Sequence, residues 1–247
     1  MKSALIGAAL LAGVAAVPSA WAEGPHWGYE GEIAAEHWAE LAPEFATCAA
    51  GQNQSPIDIS GEVHATGLPK LGFDYKTPVV SVVNNGHTIQ ANFAPGSTLT
   101  LGGHAYELKQ MHFHVPSENQ IHGKQFAMEG HLVHQDKAGR LAVVAVMFRE
   151  GRTQSALASL WKQMPEQADG EHAFDGRLTA AQLLPKKRDY YYFSGSLTTP
   201  PCSEGVSWIV LKQPVEGSKA QVEQFARVVR HPNNRPVQPR NARIVIN

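Results

Sequence analysis

Along Gln110-Met111-His112-Phe113-His114-Val115 the imidazoles and the apolar side chains alternate. Successive side chains of a β-strand point to opposite faces, so His112 and His114 share one face while Met111, Phe113 and Val115 fill the other. The stretch from Val115 to Gly130 is long enough to turn and bring a second strand back alongside. On that strand Glu129, His131 and Val133 would share a face, with Leu132 on the other. Three neutral imidazoles converging from two neighbouring strands supply the nitrogens of a tetrahedral zinc site and leave its fourth position open, as catalytic sites do.

Spacing alone leaves other readings open. Two histidines at i and i+2 also occur on a plain polar sheet face, and a chain with 12 His brings some together by chance. His112-Phe113-His114 followed by Glu118 is also the first half of the cupin signature, in which the glutamate ligates iron or manganese inside a jelly-roll barrel. That signature wants a glycine six residues before the first histidine, where Tyr106 stands. It also wants a Pro-x-Gly shortly before the last, where the chain has Phe126-Ala127-Met128-Glu129-Gly130.

With 43% hydrophobic and 17% charged residues in 247, the chain can bury a substantial core. The net charge is −1 and no basic stripe appears, so no nucleic-acid partner is expected. Lys2, the apolar run from Ala4 to Val17 and the small residues of Ala20-Trp21-Ala22 read as a signal peptide, residues 1–22. The run is too short to span a bilayer comfortably, so no membrane anchor is expected, and the folded domain is 23–247. Export to the periplasm or the medium implies oxidising surroundings, in which Cys48 and Cys202 are the one intrachain pair available. Two unrelated buried thiols are the alternative.

Short candidate strands recur with turn signals between them: Val79 to Val83, Thr88 to Phe93, Ser97 to Leu101, Ala105 to Val115. Tyr190 to Leu197, Gly205 to Leu211 and Arg243 to Ile246 continue the series. Leu141 to Phe148 is apolar throughout and predicts a strand covered on both faces. Helical pattern appears at Ile33 to Leu41, Ser155 to Met164 and Lys219 to Val229. Without repeat or linker, this is one mainly β domain of the α+β type, built on a large central sheet with short helices at its surface.

Five stretches occur in a telling order: Gln54-Ser55-Pro56-Ile57-Asp58-Ile59, Asn84-Asn85-Gly86-His87, His112-Phe113-His114, Glu129-Gly130-His131-Leu132-Val133-His134 and Ser196-Leu197-Thr198-Thr199-Pro200-Pro201-Cys202. Together they closely resemble the α-class carbonic anhydrases of the exported bacterial type, over essentially the whole chain from His26 to Ile246. The order sets the cupin reading aside. The resemblance implies a twisted, mostly antiparallel ten-stranded sheet with peripheral helices. It implies Zn2+ held by His112, His114 and His131, and hydroxide attack on carbon dioxide to give bicarbonate.

By the same resemblance Gln110 and Glu129 accept the second ring protons of His112 and His131, which orients those rings. Thr198 donates to Glu118 and aims the nucleophile, and Thr198 and Thr199 flank the substrate. Val133, Val143, Leu197 and Trp208 match the walls of the carbon dioxide pocket; Val133 also fits from its place on the face of His131. His87 matches the proton shuttle, with Tyr29, Asn85 and Gln90 as polar groups able to order water. An imidazole suits that task because its ordinary pKa lies near neutrality.

Two stretches depart from the pattern. Gly130 is bulkier in many relatives, which predicts a locally looser strand, and Val63 to Lys70 matches nothing assignable. The alternative function is a catalytically silent, carbonic-anhydrase-like binding module; such proteins lack one or more zinc histidines, whereas this chain has all three. A homodimer is possible.

Overall fold

The computed structural model describes residues 25–247. The signal peptide expected at 1–22 lies outside them. In chain order the first strands are β1 (Asp58–Ile59), β2 (Leu71–Asp74), β3 (Val79–Asn84), β4 (Ile89–Phe93), β5 (Thr98–Leu101), β6 (His104–His114) and β7 (Gln120–Ile121). There follow β8 (Met128–Gln135), β9 (Leu141–Glu150), β10 (Gly170–Ala173), β11 (Tyr190–Ser196), β12 (Glu204–Leu211) and β13 (Val215–Gly217). The α-helices are α1 (Trp38–Leu41), α2 (Thr47–Ala50), α3 (Ser155–Trp161) and α4 (Lys219–Val229).

Among the described residues eleven strands form one sheet in the order β10-β3-β4-β6-β8-β9-β12-β11, with β5 beside β6, β2 beside β5 and β13 beside β9. Ten were expected, and the difference is one of short marginal strands: β13 has three residues, too few to show an alternation. Most neighbours run antiparallel, but β12 and β13 both join β9 in parallel.

The sheet is buried on both faces, as the unbroken apolar run of β9 requires. Ala142, Val144, Val146 and Phe148 enter the larger core, which also takes Phe113, Leu132 and Trp161. Val143, Ala145 and Met147 enter a second core with Ile57, Phe193 and Trp208. A third cluster gathers Trp38, Phe45, Cys48 and Cys202 around the disulfide, with Trp27 and Tyr29 packed against it.

Gly130 does not loosen its strand. It stands opposite Phe113, and a Cβ there would overlap Met111 Cε and lie 3.2 Å from the Phe113 ring. The missing side chain is replaced by Met111, so packing is kept.

Two expected elements take another form. Ile33 to Leu41 breaks into a 3-10 turn at Gly31–Ile33 and the single turn of α1. Between them the His37 N–H bonds Ala34 O at 2.9 Å, while the buried Trp38 indole donates to Gly28 O and Ile33 O at 2.8 and 3.1 Å. The Ile33 carbonyl is thereby drawn away from a continuous helical ladder. Arg243 to Ile246 is not a strand; only Ile246 makes bridges, to Val63 and Tyr192. Arg243 instead turns back on Arg240, its main-chain N–H bonding Arg240 O at 3.1 Å.

The two longer helices, α3 and α4, are fastened at their starts. Gln154 caps α3, and Ser218 with Gln221 forms a capping box on α4. α4 ends at Arg230 in the left-handed region, φ 69°, and the chain beyond it brings Asn233 to His114 and Val115.

Candidate metal centre and active site

Register brings the histidines together. β6 and β8 pair so that His112 stands opposite His131, and His114 opposite Glu129. One ring nitrogen from each of His112, His114 and His131 lies within 4.8 Å of the others. His114 and His131 are buried and His112 is half-buried.

The other ring nitrogens are already engaged. His112 Nδ1 donates to Gln110 Oε1 at 2.8 Å, His114 Nδ1 to Asn233 O at 2.7 Å and His131 Nε2 to Glu129 Oε1 at 2.9 Å. Those bonds settle the tautomers and leave His112 Nε2, His114 Nε2 and His131 Nδ1 as lone-pair donors. His114 Nε2 is buried with no hydrogen-bond partner among the described residues. Burial and the neighbouring imidazoles hold His112 and His131 well below the usual histidine range. Burial lowers His114 too, opposed by its bond to Asn233. Neutral imidazoles with unspent lone pairs, facing one another in a buried site, fit a zinc ion.

Glu129 does more than orient His131. Its Oε2 accepts the main-chain N–H groups of Glu118 and Asn119, both at 2.8 Å, and Oε1 accepts Asn119 Nδ2 at 2.7 Å. This pins the turn carrying Glu118 against β8. Glu118 Oε1 accepts the Arg235 N–H at 2.9 Å, while Oε2 lies 3.4 Å from His114 Nε2 and 3.9 Å from His131 Nδ1. Burial pushes the Glu118 carboxyl well up; the Thr198 hydroxyl and the Arg235 N–H pull it back. Thr198 therefore lies against this carboxylate, although Oε2 has no partner in good hydrogen-bond alignment.

The predicted wall residues form one patch. Val133 stands opposite Val143, and Val143 opposite Trp208, a row across β8, β9 and β12. The Trp208 ring lies 4.9 Å from the His131 ring, and Leu197 packs on the same cluster. Thr198 is buried and Thr199 half-buried in the turn after β11, where Thr199 O accepts the Cys202 N–H at 2.9 Å. Cys48 and Cys202 are joined, with Cα atoms 5.0 Å apart.

His87 sits at the β3–β4 turn, half-buried. The Asn85 side-chain carbonyl holds that turn, accepting from the His87 and Thr88 N–H groups at 3.0 and 2.9 Å. Gln90 stands opposite His112 and donates to Asn92 at 2.7 Å.

Asn233 and Arg235 were not among the expected site residues. Asn233 accepts from His114 at its carbonyl and from the Val115 N–H at Oδ1 (2.7 Å), and donates through Nδ2 to His87 O at 3.0 Å. A main-chain carbonyl carries no residue type, so that contact leaves no mark in a sequence. The polar run Asn233-Asn234-Arg235 after a helix end was the one available sign.

Among described residues no helix is long and apolar enough to cross a membrane. The family model for eukaryotic-type carbonic anhydrase matches residues 33–247. A carbonic anhydrase of Neisseria gonorrhoeae is 50% identical over 238 residues, 96% of this chain and 94% of the relative. One of Klebsiella pneumoniae is 48% identical over 248 residues, covering 100% of both. The α-carbonic anhydrase of Thermovibrio ammonificans, solved in complex with the inhibitor sulfanilamide, superposes with a TM-score of 0.89 at 46% identity, covering 91% of this chain and 100% of that one. The chain belongs to the α-class carbonic anhydrases.

Proposed function

We propose that this enzyme hydrates carbon dioxide reversibly with one zinc ion held by His112 Nε2, His114 Nε2 and His131 Nδ1. The observation that carries the reading is the division of labour among the ring nitrogens. One from each ring faces the others within 4.8 Å, and its partner on the same ring is spent on Gln110, Asn233 or Glu129. Bound there, zinc supplies a Lewis acid that lowers the pKa of water.

The surrounding residues set direction and dryness. Thr198 lies against Glu118; with its hydroxyl hydrogen turned to that carboxylate, its Oγ1 would accept from the nucleophile and aim a lone pair at the substrate carbon. Its main-chain N–H and the adjoining Thr199 hold a substrate oxygen. Val133, Val143, Leu197 and Trp208 present a small apolar wall suited to carbon dioxide, which makes few hydrogen bonds. His87 accepts the proton released in each cycle at a ring nitrogen. Residues 1–22 act as a cleaved signal peptide, leaving the domain 23–247 in the periplasm or the medium; the Cys48–Cys202 bridge supports an oxidising compartment.

Stopped-flow hydration of carbon dioxide, with zinc removed by chelation and then restored, tests the activity, and elemental analysis of His114→Ala tests the ligand set. Turnover should vanish and return with the metal, and the variant should purify without zinc. Full zinc occupancy with normal turnover in His114→Ala would show that these histidines are not the ligands.

A further inference from the structure

The His87 ring does not stand alone. It stacks face to face on Trp27, with centroids 3.8 Å apart and planes at 7°. Tyr29 stands beside that pair, 6.5 Å from His87, and its ring is 5.7 Å from a second imidazole, His231. His231 follows the left-handed end of α4 and is half-buried, like His87. Asn233, two residues further on, donates to the His87 carbonyl at 3.0 Å, so the two histidine-bearing segments are tied together. A mechanism with a single proton carrier gives His231 nothing to do.

We infer that His231 is a second proton carrier at the mouth of the site, receiving protons from His87 through solvent beside Tyr29 and releasing them to buffer. The inference rests on the reading of His87 as the first carrier.

The hydrogen-bond pattern supports the direction. His231 Nδ1 faces the carbonyl oxygen of Pro232 at 3.1 Å, so the neutral ring carries its hydrogen there and offers Nε2 as acceptor. His87 takes up a proton at one ring nitrogen and gives up the proton on the other to water. Nε2 of His231 accepts it, and the imidazolium loses it to a buffer base, which restores the neutral ring. His87 is left in its other tautomer, which a ring flip or proton exchange with solvent resets before the next cycle.

The surroundings of His87 loosen its hold on a proton. Burial, then the His26 and His231 rings, hold His87 below the usual histidine range; Asp169, from the turn before β10, opposes them. Arg230 precedes His231 in the chain. A carrier that binds its proton weakly gives it up readily, and a second imidazole nearby provides somewhere for it to go.

The test is stopped-flow kinetics in dilute, weakly basic buffer on His231→Gln, His87→Ala and the double variant, each checked for zinc content and melting temperature. In His231→Gln, kcat should fall about three- to tenfold with kcat/KM unchanged, since hydration itself needs no carrier. Tens of millimolar imidazole should restore it. Because His231 acts through His87, the double variant should match His87→Ala. If His87→Ala lowers kcat and His231→Gln does not, the second carrier is refuted while the first stands. If His87→Ala leaves kcat unchanged, both fall. A joint loss of kcat and kcat/KM in His231→Gln, unmoved by imidazole, would make the residue structural.

Discussion

Arg235 holds Glu118 from behind: its main-chain N–H donates to Glu118 Oε1 at 2.9 Å. The guanidinium of the same residue reaches in the opposite direction, toward the disulfide. It donates to Gln54 Oε1, Ser55 O and Cys48 O at 2.9, 2.8 and 2.8 Å, and lies over the Trp38 ring. One buried residue thus connects the carboxylate beside the histidines to the segment anchored by Cys48.

Replacing that guanidinium should be costly. Arg235→Met leaves three buried acceptors without a donor, and a loss of about 3–5 kcal/mol is expected. Urea unfolding measures it; the main-chain N–H that serves Glu118 is kept in the variant, so kcat/KM should fall less than stability does. Arg235→Lys should recover only part, because one ammonium cannot span three acceptors set for a planar fork. A loss below about 1 kcal/mol in Arg235→Met would contradict the role.

The disulfide closes a loop with a sequence separation of 154. Restraining the unfolded chain over that length contributes about 4–5 kcal/mol in the chain-entropy account. For a domain of this size, reduction should lower Tm by about 10–20 °C. Zinc held as proposed should stay bound, since β6 and β8, which carry the three histidines, do not pair with the segments the bridge joins. Calorimetry with and without reductant, followed by metal analysis, decides both points.

A buried pair on the other face of the sheet sets a pH limit. Tyr75 OH lies 2.6 Å from His134 Nε2, and His134 Nδ1 bonds Ala142 O at 3.1 Å. The imidazole therefore carries its hydrogen on Nδ1 and accepts from the phenol. Burial pushes His134 from 6.5 down to about 4, opposed by its main-chain carbonyl contacts. The unfolded chain then binds a proton that the folded chain refuses, so this contribution is complete above pH 6.5 and is lost as pH falls toward 4. The loss amounts to about 3 kcal/mol. In zinc-saturated protein, His134→Gln should flatten the stability–pH slope in that window by about one proton. An identical slope in the two proteins would rule this out.

The periodicity of the chain alone specified most of the sheet and the core of the site. His112 and His114 alternate with Met111 and Phe113, and a strand has no other way to present that order than two imidazoles on one face. The apolar run of β9 required cover on both sides, and it has it. Only the tertiary structure decided which strands are neighbours, and hence that His112 faces His131 across one register. It alone decided that Gly130 is filled by Met111, and that Asn233 and Arg235, far along the chain, close the site with a carbonyl and a main-chain N–H. Side-chain periodicity is local and is written in residue types. Register, close packing and main-chain hydrogen bonds join distant residues through atoms that every residue shares, so they emerge only when the chain is folded.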